Sequence, residues 1–414
     1  TTMPKFKIGT DDFKVLITEG GHYVDKSLII HELVEGDQFM LMPRPRRFGK
    51  TLNMTMMRYF FEKSEEDRSG LFEGLAIKDT STWKHQGKYP VIYISLKDAK
   101  GEDWDNIYSK LVKKIANTFK SFIYLSDKLD ETDATLFNEI LNHTASQSDY
   151  EDSLIFLVRA LYAYHKAPVV ILIDEYDTSI IESHLRGYYD KMIDFMRSWL
   201  SGALKPDDGS LVFRGVLTGI LRIAKESIFS GLNNLTVASI LIEDAFCDKF
   251  GFTEGEVAEL IELYGQKEKE ADIKRWYNGY CFGKHIIYNP WSLINCLTKN
   301  APLQPYWLNT ASNDLVHQQL AAGGLELKVD LEKLLLGESL RYPIDDNVSF
   351  KDITSSRQTI WAFLFHCGYL RAEDPEPDPF HPQTLTYRLT IPNSEVLCVY
   401  HQFIEYYFRQ HQTT

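Results

Sequence analysis

No apolar run in this 414-residue chain approaches the ~20 residues that a membrane-spanning helix needs. The opening Thr1-Thr2-Met3-Pro4-Lys5-Phe6-Lys7 has no apolar signal core, so the reading is a cytoplasmic protein with no membrane partner. Cysteine is sparse and unpatterned. Cys247, Cys281, Cys296, Cys367 and Cys398 are odd in number and contain no C-x-x-C, which argues against a disulfide framework or a thiolate zinc site. Positive charge is also short, with 45 Lys and Arg against 58 Asp and Glu and a net charge of -13. Broad nucleic-acid binding draws on neutralising many phosphates, so this balance counts against it and leaves only a local basic patch. Glycine is missing at one telling place. The first glycine of a G-x-x-x-x-G-K-[ST] phosphate loop would fall on Arg44.

What remains at that place is Phe39-Met-Leu-Met-Pro-Arg-Pro-Arg-Arg-Phe-Gly-Lys-Thr51. An apolar strand breaks at Pro43 and ends in Gly49-Lys50-Thr51, after which Leu52, Met56 and Phe60 recur at helical spacing. In a phosphate loop the glycine lets backbone N–H groups close on the anion, the lysine reaches the β/γ-phosphates, and the threonine hydroxyl binds Mg²⁺ at the helix N-terminus. Two prolines and three arginines (Arg44, Arg46, Arg47) stiffen this loop and add planar multi-donor groups suited to phosphate oxygens. The alternative is a basic surface loop before an ordinary helix.

A second anchor weighs against that alternative. Val169-Val170-Ile171-Leu172-Ile173 is a continuous apolar run of the kind found in a parallel strand covered on both faces, and it ends in Asp174-Glu175-Tyr176-Asp177. Carboxylates at the end of such a strand lie where open α/β sheets bind ligands. Asp174 then holds Mg²⁺, and Glu175 orients and deprotonates the attacking water. The competing role for Asp174 and Asp177 is capping of the next helix. Tyr89 to Leu96, Leu211 to Gly219 and Leu235 to Ile240 read as further strands, and helices are expected between them. Thr218 ends one of these strands as a polar sensor of phosphate or water, and Arg222 follows as a charge stabiliser. Their plain alternatives are a strand-end hydroxyl and a surface ion pair. Tyr23 and Lys26 precede the first strand and are weighed as nucleotide contacts, with packing the simpler role for Tyr23.

After Ile240 the apolar strands stop and helices dominate. Thr253 opens a helix with a capping box to Glu256, Gly283-Lys284 joins a hairpin, and Asn289-Pro290 starts another helix. From about Pro302 a helix over Ser355 to His366, a strand from Tyr369, a loop over Asp374 to Pro382 and a return strand Leu385 to Thr390 resemble a winged-helix module. The loop is acidic, which favours a protein contact over DNA.

Taken together, Tyr23-Val-Asp-Lys26, Arg44-Pro-Arg-Arg-Phe-Gly-Lys-Thr51, Ile173-Asp-Glu-Tyr-Asp177, the stretch Leu217 to Asn234, Trp276-Tyr-Asn-Gly-Tyr280, Tyr288-Asn-Pro-Trp-Ser292 and Ile391-Pro-Asn-Ser-Glu-Val396 resemble the bacterial AAA-ATPase-like family over nearly the whole chain. In that family an arginine-bearing loop is usual. The resemblance implies an α/β fold of the ASCE type, a P-loop NTPase with a parallel sheet covered by helices, then a helical region and a winged-helix-like module. It divides the chain at residues 1–36, 37–245, 246–300 and 301–414. It also implies ATP and Mg²⁺ as ligands. Arg46, Arg47, Phe48, Gly49, Lys50, Thr51 and Leu52 would bind nucleotide, Thr51 and Asp174 the metal, and Glu175, Thr218 and Arg222 would serve the chemistry. The expected activity is an ATPase switch acting on the C-terminal module, a protein partner or a second copy. The alternatives are a nucleotide-gated scaffold with little hydrolysis and a regulator of nucleic-acid processing, since family members often carry a PD-(D/E)XK nuclease domain. Here only Glu326-Leu327-Lys328 spells E-x-K, without an upstream aspartate-bearing strand pair, so the match reads as chance.

Overall fold

The computed structural model describes residues 3–205, 211–223, 228, 235–307, 314–322, 324–348 and 357–411. Strands β1 (Phe39–Pro43), β2 (Val91–Ser95), β3 (Val169–Asp174) and β4 (Val212–Gly219), with Leu235–Val237 at the edge, make one parallel sheet in the order β2-β3-β4-β1-(235–237). Every residue of β1 and β3 is buried, which explains their unbroken apolar runs: helices cover both faces, so neither face selects polar side chains. The register sets Met42 beside Thr218 and Ser95 beside Asp174, so β1 to β4 end together at one rim.

Each β-to-β connection is long enough to carry helices. Lys50–Phe61 follows β1, Trp104–Lys120 follows β2, and Thr178–Arg186 with Tyr189–Leu204 follows β3. In Trp104–Lys120 the buried residues Ile107, Leu111, Ile115 and Phe119 recur every fourth position and form the stripe that meets the sheet.

Beyond the sheet, the local punctuation reads as expected. Thr253 and Glu256 form the reciprocal capping box, Tyr280–Phe282 and His285–Tyr288 pair through the Gly283-Lys284 turn, and the Asn289 side chain accepts from Ser292 N with Pro290 behind it. Two details differ. The fifth strand is Leu235–Val237, shorter than Leu235 to Ile240. The acidic run from Asp374 is not all loop. Arg371–Pro377 is a strand against Leu385–Thr390, with a register shift between Glu373 and Glu376 that accommodates Pro375.

Leu340–Pro343 completes a three-stranded antiparallel sheet, which accompanies helix Arg357–His366. Buried residues from Trp307 to Phe403 join the apolar cluster of the main sheet, whereas the helices of 254–301 enclose a cluster of their own. Glu326-Leu327-Lys328 lies on the Leu325–Leu335 helix. Most of the stretch from Ala224 to Asn234 lies outside the described residues. Among the described residues no helix is long and apolar enough to cross a membrane.

Candidate functional site

The loop between β1 and the Lys50–Phe61 helix is held by its carbonyls. Lys50 Nζ donates to Arg44 O (2.8 Å) and Pro45 O (3.1 Å). Trp307 Nε1 donates to Arg46 O (2.9 Å), and Gly251 N donates to Phe48 O (3.1 Å). Arg47 (φ 68°) and Gly49 (φ 87°) both take left-handed backbone, and Gly49 caps the helix without a side-chain bond. Alternating left-handed residues with tied carbonyls is how a backbone turns N–H groups inward to make an anion-binding concavity. The uncapped helix N-terminus adds its own favourable field.

Arg44 does not take part in that concavity. It is fully buried, donates to Pro43 O, Ala238 O (2.6 Å) and Phe246 O, and packs against the Phe250 and Phe282 rings. Burial pulls its guanidinium down to about 10. Three inward carbonyls recruit this side chain as a structural tie, so of the three loop arginines only Arg46 and Arg47 border the cavity. Arg46 lies over the Trp307 ring (5.2 Å) and Arg47 over the Trp291 ring (4.2 Å). Phe48 contributes backbone, since its ring is buried against Tyr280 and Phe282.

At the end of β3 the Asp174 carboxylate accepts from Thr51 Oγ1 and Thr218 Oγ1, both at 2.6 Å. The three residues predicted from separate segments therefore meet at one carboxylate. Burial raises Asp174 above the usual carboxylate range, against the pull of the two hydroxyls and Lys50. Glu175 has left-handed backbone (φ 53°), its N–H donates to Thr218 Oγ1 (3.3 Å), and its Oε2 accepts from Thr178 Oγ1 (3.2 Å). Lys50 is buried and drawn down by desolvation, opposed by Glu175, Asp177 and Asp174.

Asp177 is not a helix cap by hydrogen bond. Its buried carboxylate accepts from Ile220 N (3.0 Å) and Leu221 N (2.8 Å), pinning the turn after β4, and burial pushes it up to about 6. Gly219 is required there, because a Cβ would lie 2.6 Å from Asp177 Oδ1. Arg222 lies two residues past cavity-lining Ile220, on Arg222–Ile223, which pairs with Asn347–Val348; it is not among the residues that line the cavity.

Residues 46–53 with Glu175, Thr178 and Ile220 line a cavity of about 480 Å³, with Asp174 and Thr218 bonded behind Thr51, and the sequence reading did not assign its remaining walls. Phe6 to Asp11, His22 to Val24, Phe252, Pro290, Trp291 and Ile294 supply them together with Lys97 and Lys100, and Phe6, Val24 and Ile294 pack on the same apolar cluster as Phe252. Tyr23 and Lys26 border it but are engaged elsewhere: Tyr23 OH accepts from Lys26 N, and Lys26 Nζ binds Glu256 (2.6 Å) and Asp248 O (2.7 Å). The lining carries eight lysines and arginines against four carboxylates in a chain whose net charge is -13, so the cavity is set for an anion. Trp291 lies inside the quoted motif Tyr288 to Ser292; nothing in the sequence distinguishes Trp307.

Behind Trp307 stands Glu395, fully buried at the start of the Ser394–His411 helix. Its carboxylate accepts from Ser292 Oγ (2.7 and 2.9 Å) and Trp307 N (3.0 Å), and burial pushes it up to about 7. A raised carboxyl pKa favours the native state below the unfolded value and loses that contribution as pH rises through the folded one. From about pH 5 to about pH 8, wild type should therefore lose roughly 2 to 3 kcal/mol relative to Glu395→Gln. Urea unfolding at the two pH values measures this, and a pH-independent difference would count against it.

Compared with known proteins, residues 7–229, more than half of the chain, match the family model AAA-ATPase_like, described as "Predicted AAA-ATPase". The chain is also similar to an "Uncharacterized protein in vnfD 5'region" of Azotobacter chroococcum mcd 1, 28% identical over 400 residues that cover 95% of this chain and 68% of that protein.

Proposed function

The chain belongs to the AAA-ATPase-like family, and from that premise we propose that it binds ATP with Mg²⁺ in the cavity under the Arg46 to Asn53 loop and hydrolyses it. Membership itself points to ATP binding; the chemistry is our reading of the site. The observation that carries it is the meeting of Lys50, Thr51, Asp174, Thr218 and Glu175 at the ends of three strands of one parallel sheet. The strand carrying Thr218 lies between the loop strand and the acid strand, which supports the ASCE-type assignment.

In this reading the loop backbone and Lys50 hold the β- and γ-phosphates, with Arg46 and Arg47 as further cations and Leu52 packing beneath. Phe6, His22, Val24, Phe252 and Ile294 offer the base an apolar and aromatic bed. Among the described residues no three of His, Cys, Asp and Glu stand together as an all-protein metal cage. One carboxylate with a neighbouring hydroxyl fits magnesium, which keeps waters and takes phosphate oxygens for the rest. Asp174 and Thr51 would hold that ion, which when bound neutralises charge developing on the phosphates.

Glu175 is placed to accept a proton from the attacking water, with Thr178 fixing one carboxylate oxygen and Thr218 fixing its backbone. Thr218 touches both acids, which suits a role in relaying phosphate occupancy. Arg222 is the proposed charge stabiliser, reaching the γ-phosphate from just beyond Ile220 on closure. The three-stranded sheet beside Arg357–His366 supports a winged-helix-like module as the moving part, acting on a protein partner or a second copy.

The test is binding and turnover of ATP and GTP with and without Mg²⁺. Metal-dependent ATP turnover is the expected result, tripolyphosphate should compete, and no binding of either nucleotide would overturn the proposal.

A further inference from the structure

The phosphate loop is anchored from outside the sheet at two carbonyls, and the two anchors differ in kind. Phe48 O is taken by a backbone N–H, that of Gly251, which no side-chain change removes. Arg46 O is taken by a side chain, the indole N–H of fully buried Trp307, which also lies under the Arg46 guanidinium. Trp307 is itself fixed by Glu395, and the same carboxylate holds Ser292 beside Trp291, the ring under Arg47. One buried carboxylate on the final helix thus stands behind both indole contacts to the cavity-lining arginines.

A carbonyl oxygen turned toward a phosphate repels it, whereas the N–H of a flanking peptide attracts it. The rotation of the peptides around Arg46 therefore decides how well the loop holds an anion. Arg47, next in the chain, is already in left-handed backbone, so that orientation is held against a local preference.

We infer that Trp307 is a positioning residue of the phosphate site, keeping the Arg46 carbonyl turned out of the cavity and linking phosphate occupancy to the final helix. This rests on the nucleotide reading above. Binding linkage is reciprocal, so an anion that needs this arrangement must also stabilise it.

Trp307→Phe deletes the N–H and keeps a ring. Trp361→Phe is the control: Trp361 is equally buried, but its indole N–H donates to Asp330 Oδ2 (3.3 Å) and its ring stacks on Tyr342 of the C-terminal sheet. Calorimetric affinity for tripolyphosphate and Mg-ATP should fall about 5- to 20-fold in Trp307→Phe, the scale of one buried hydrogen bond, and stay within about twofold in Trp361→Phe. The nucleotide-induced change in tryptophan fluorescence should be smaller in Trp307→Phe than in Trp361→Phe, with cavity-lining Trp291 supplying the remainder. Equal affinities in wild type and Trp307→Phe, or equal losses in both variants, would overturn the inference.

If Trp307→Phe does not fold, the wild-type protein carries the test. Saturating tripolyphosphate should slow amide exchange over residues 394–403, and unchanged exchange there overturns the inference. Failure of wild type to bind ATP at all removes the underlying nucleotide reading and this inference with it.

Discussion

Glu175→Gln should bind Mg-ATP within a few-fold of wild type and lose turnover by about 10²- to 10⁴-fold, the usual worth of a positioned general base. The substitution keeps an oxygen that can accept from Thr178 Oγ1 and leaves the backbone N–H to Thr218 in place, so only proton acceptance is removed. Single-turnover hydrolysis alongside equilibrium binding separates the two. Equal rates in wild type and variant would mean that Glu175 is not the base. A second variant tests whether the site stores strain. Glu175 sits at φ 53°, where a side chain is disfavoured by about 1 kcal/mol or more, so Glu175→Gly should be inactive yet more stable by up to ~1 kcal/mol. A loss of stability in that variant would mean that the carboxylate contacts outweigh the backbone cost.

Much of this site was legible because its parts are tied to chain direction. Gly49-Lys50-Thr51 opens a helix, and Asp174 closes a buried strand; both positions follow from periodicity and the point where an apolar run stops. Their meeting through Thr51, Asp174 and Thr218 follows once β4 lies between β1 and β3. Arg44 was not legible in the same way. Its letter matches those of Arg46 and Arg47, but it faces the carbonyls of Ala238 and Phe246, nearly two hundred or more positions away in the chain. Which way a loop side chain turns depends on which distant carbonyls lack donors, and local pattern carries no record of that.

The same reason hid the cavity walls. Phe6, His22 and Trp291 come from three segments to which local pattern assigns no chemistry, and only the fold brings them to one space. The edge of the C-terminal sheet was misread for a different cause. Proline normally ends a strand, but Pro375 is absorbed at a register shift, so Arg371–Pro377 continues past it. Asp177 illustrates a third limit. It stands at a helix N-cap position, yet its carboxylate serves the turn at Ile220 and Leu221, because those buried N–H groups have the stronger claim on an acceptor.

Lys50→Ala should weaken tripolyphosphate and ATP binding by at least ~100-fold, because a buried ammonium facing phosphates makes charge-assisted bonds worth about 1.5 to 3 kcal/mol each. Its cost in the ligand-free protein should depend on pH in a direction the site fixes. Lys50 supplies the donor for Arg44 O and Pro45 O, and its charge holds down the carboxyl pKa values of Asp174 and Asp177. Burial already pushes Asp177 up to about 6 with the lysine present. Without it both carboxyls rise further, so the native state keeps protons that the unfolded chain releases. Stability contributed by a raised carboxyl is present at low pH and lost as pH rises through the folded value. The penalty of Lys50→Ala should therefore be smallest near about pH 4 and grow toward about pH 8. If only the two carbonyl bonds mattered, the penalty would be flat with pH, and chemical denaturation at several pH values distinguishes the two. Lys50→Arg should not restore binding, since a planar guanidinium cannot occupy a buried slot shaped for a compact ammonium between two carbonyls. Restored affinity in Lys50→Arg would show that charge alone holds the phosphate and that the geometry of the loop does not.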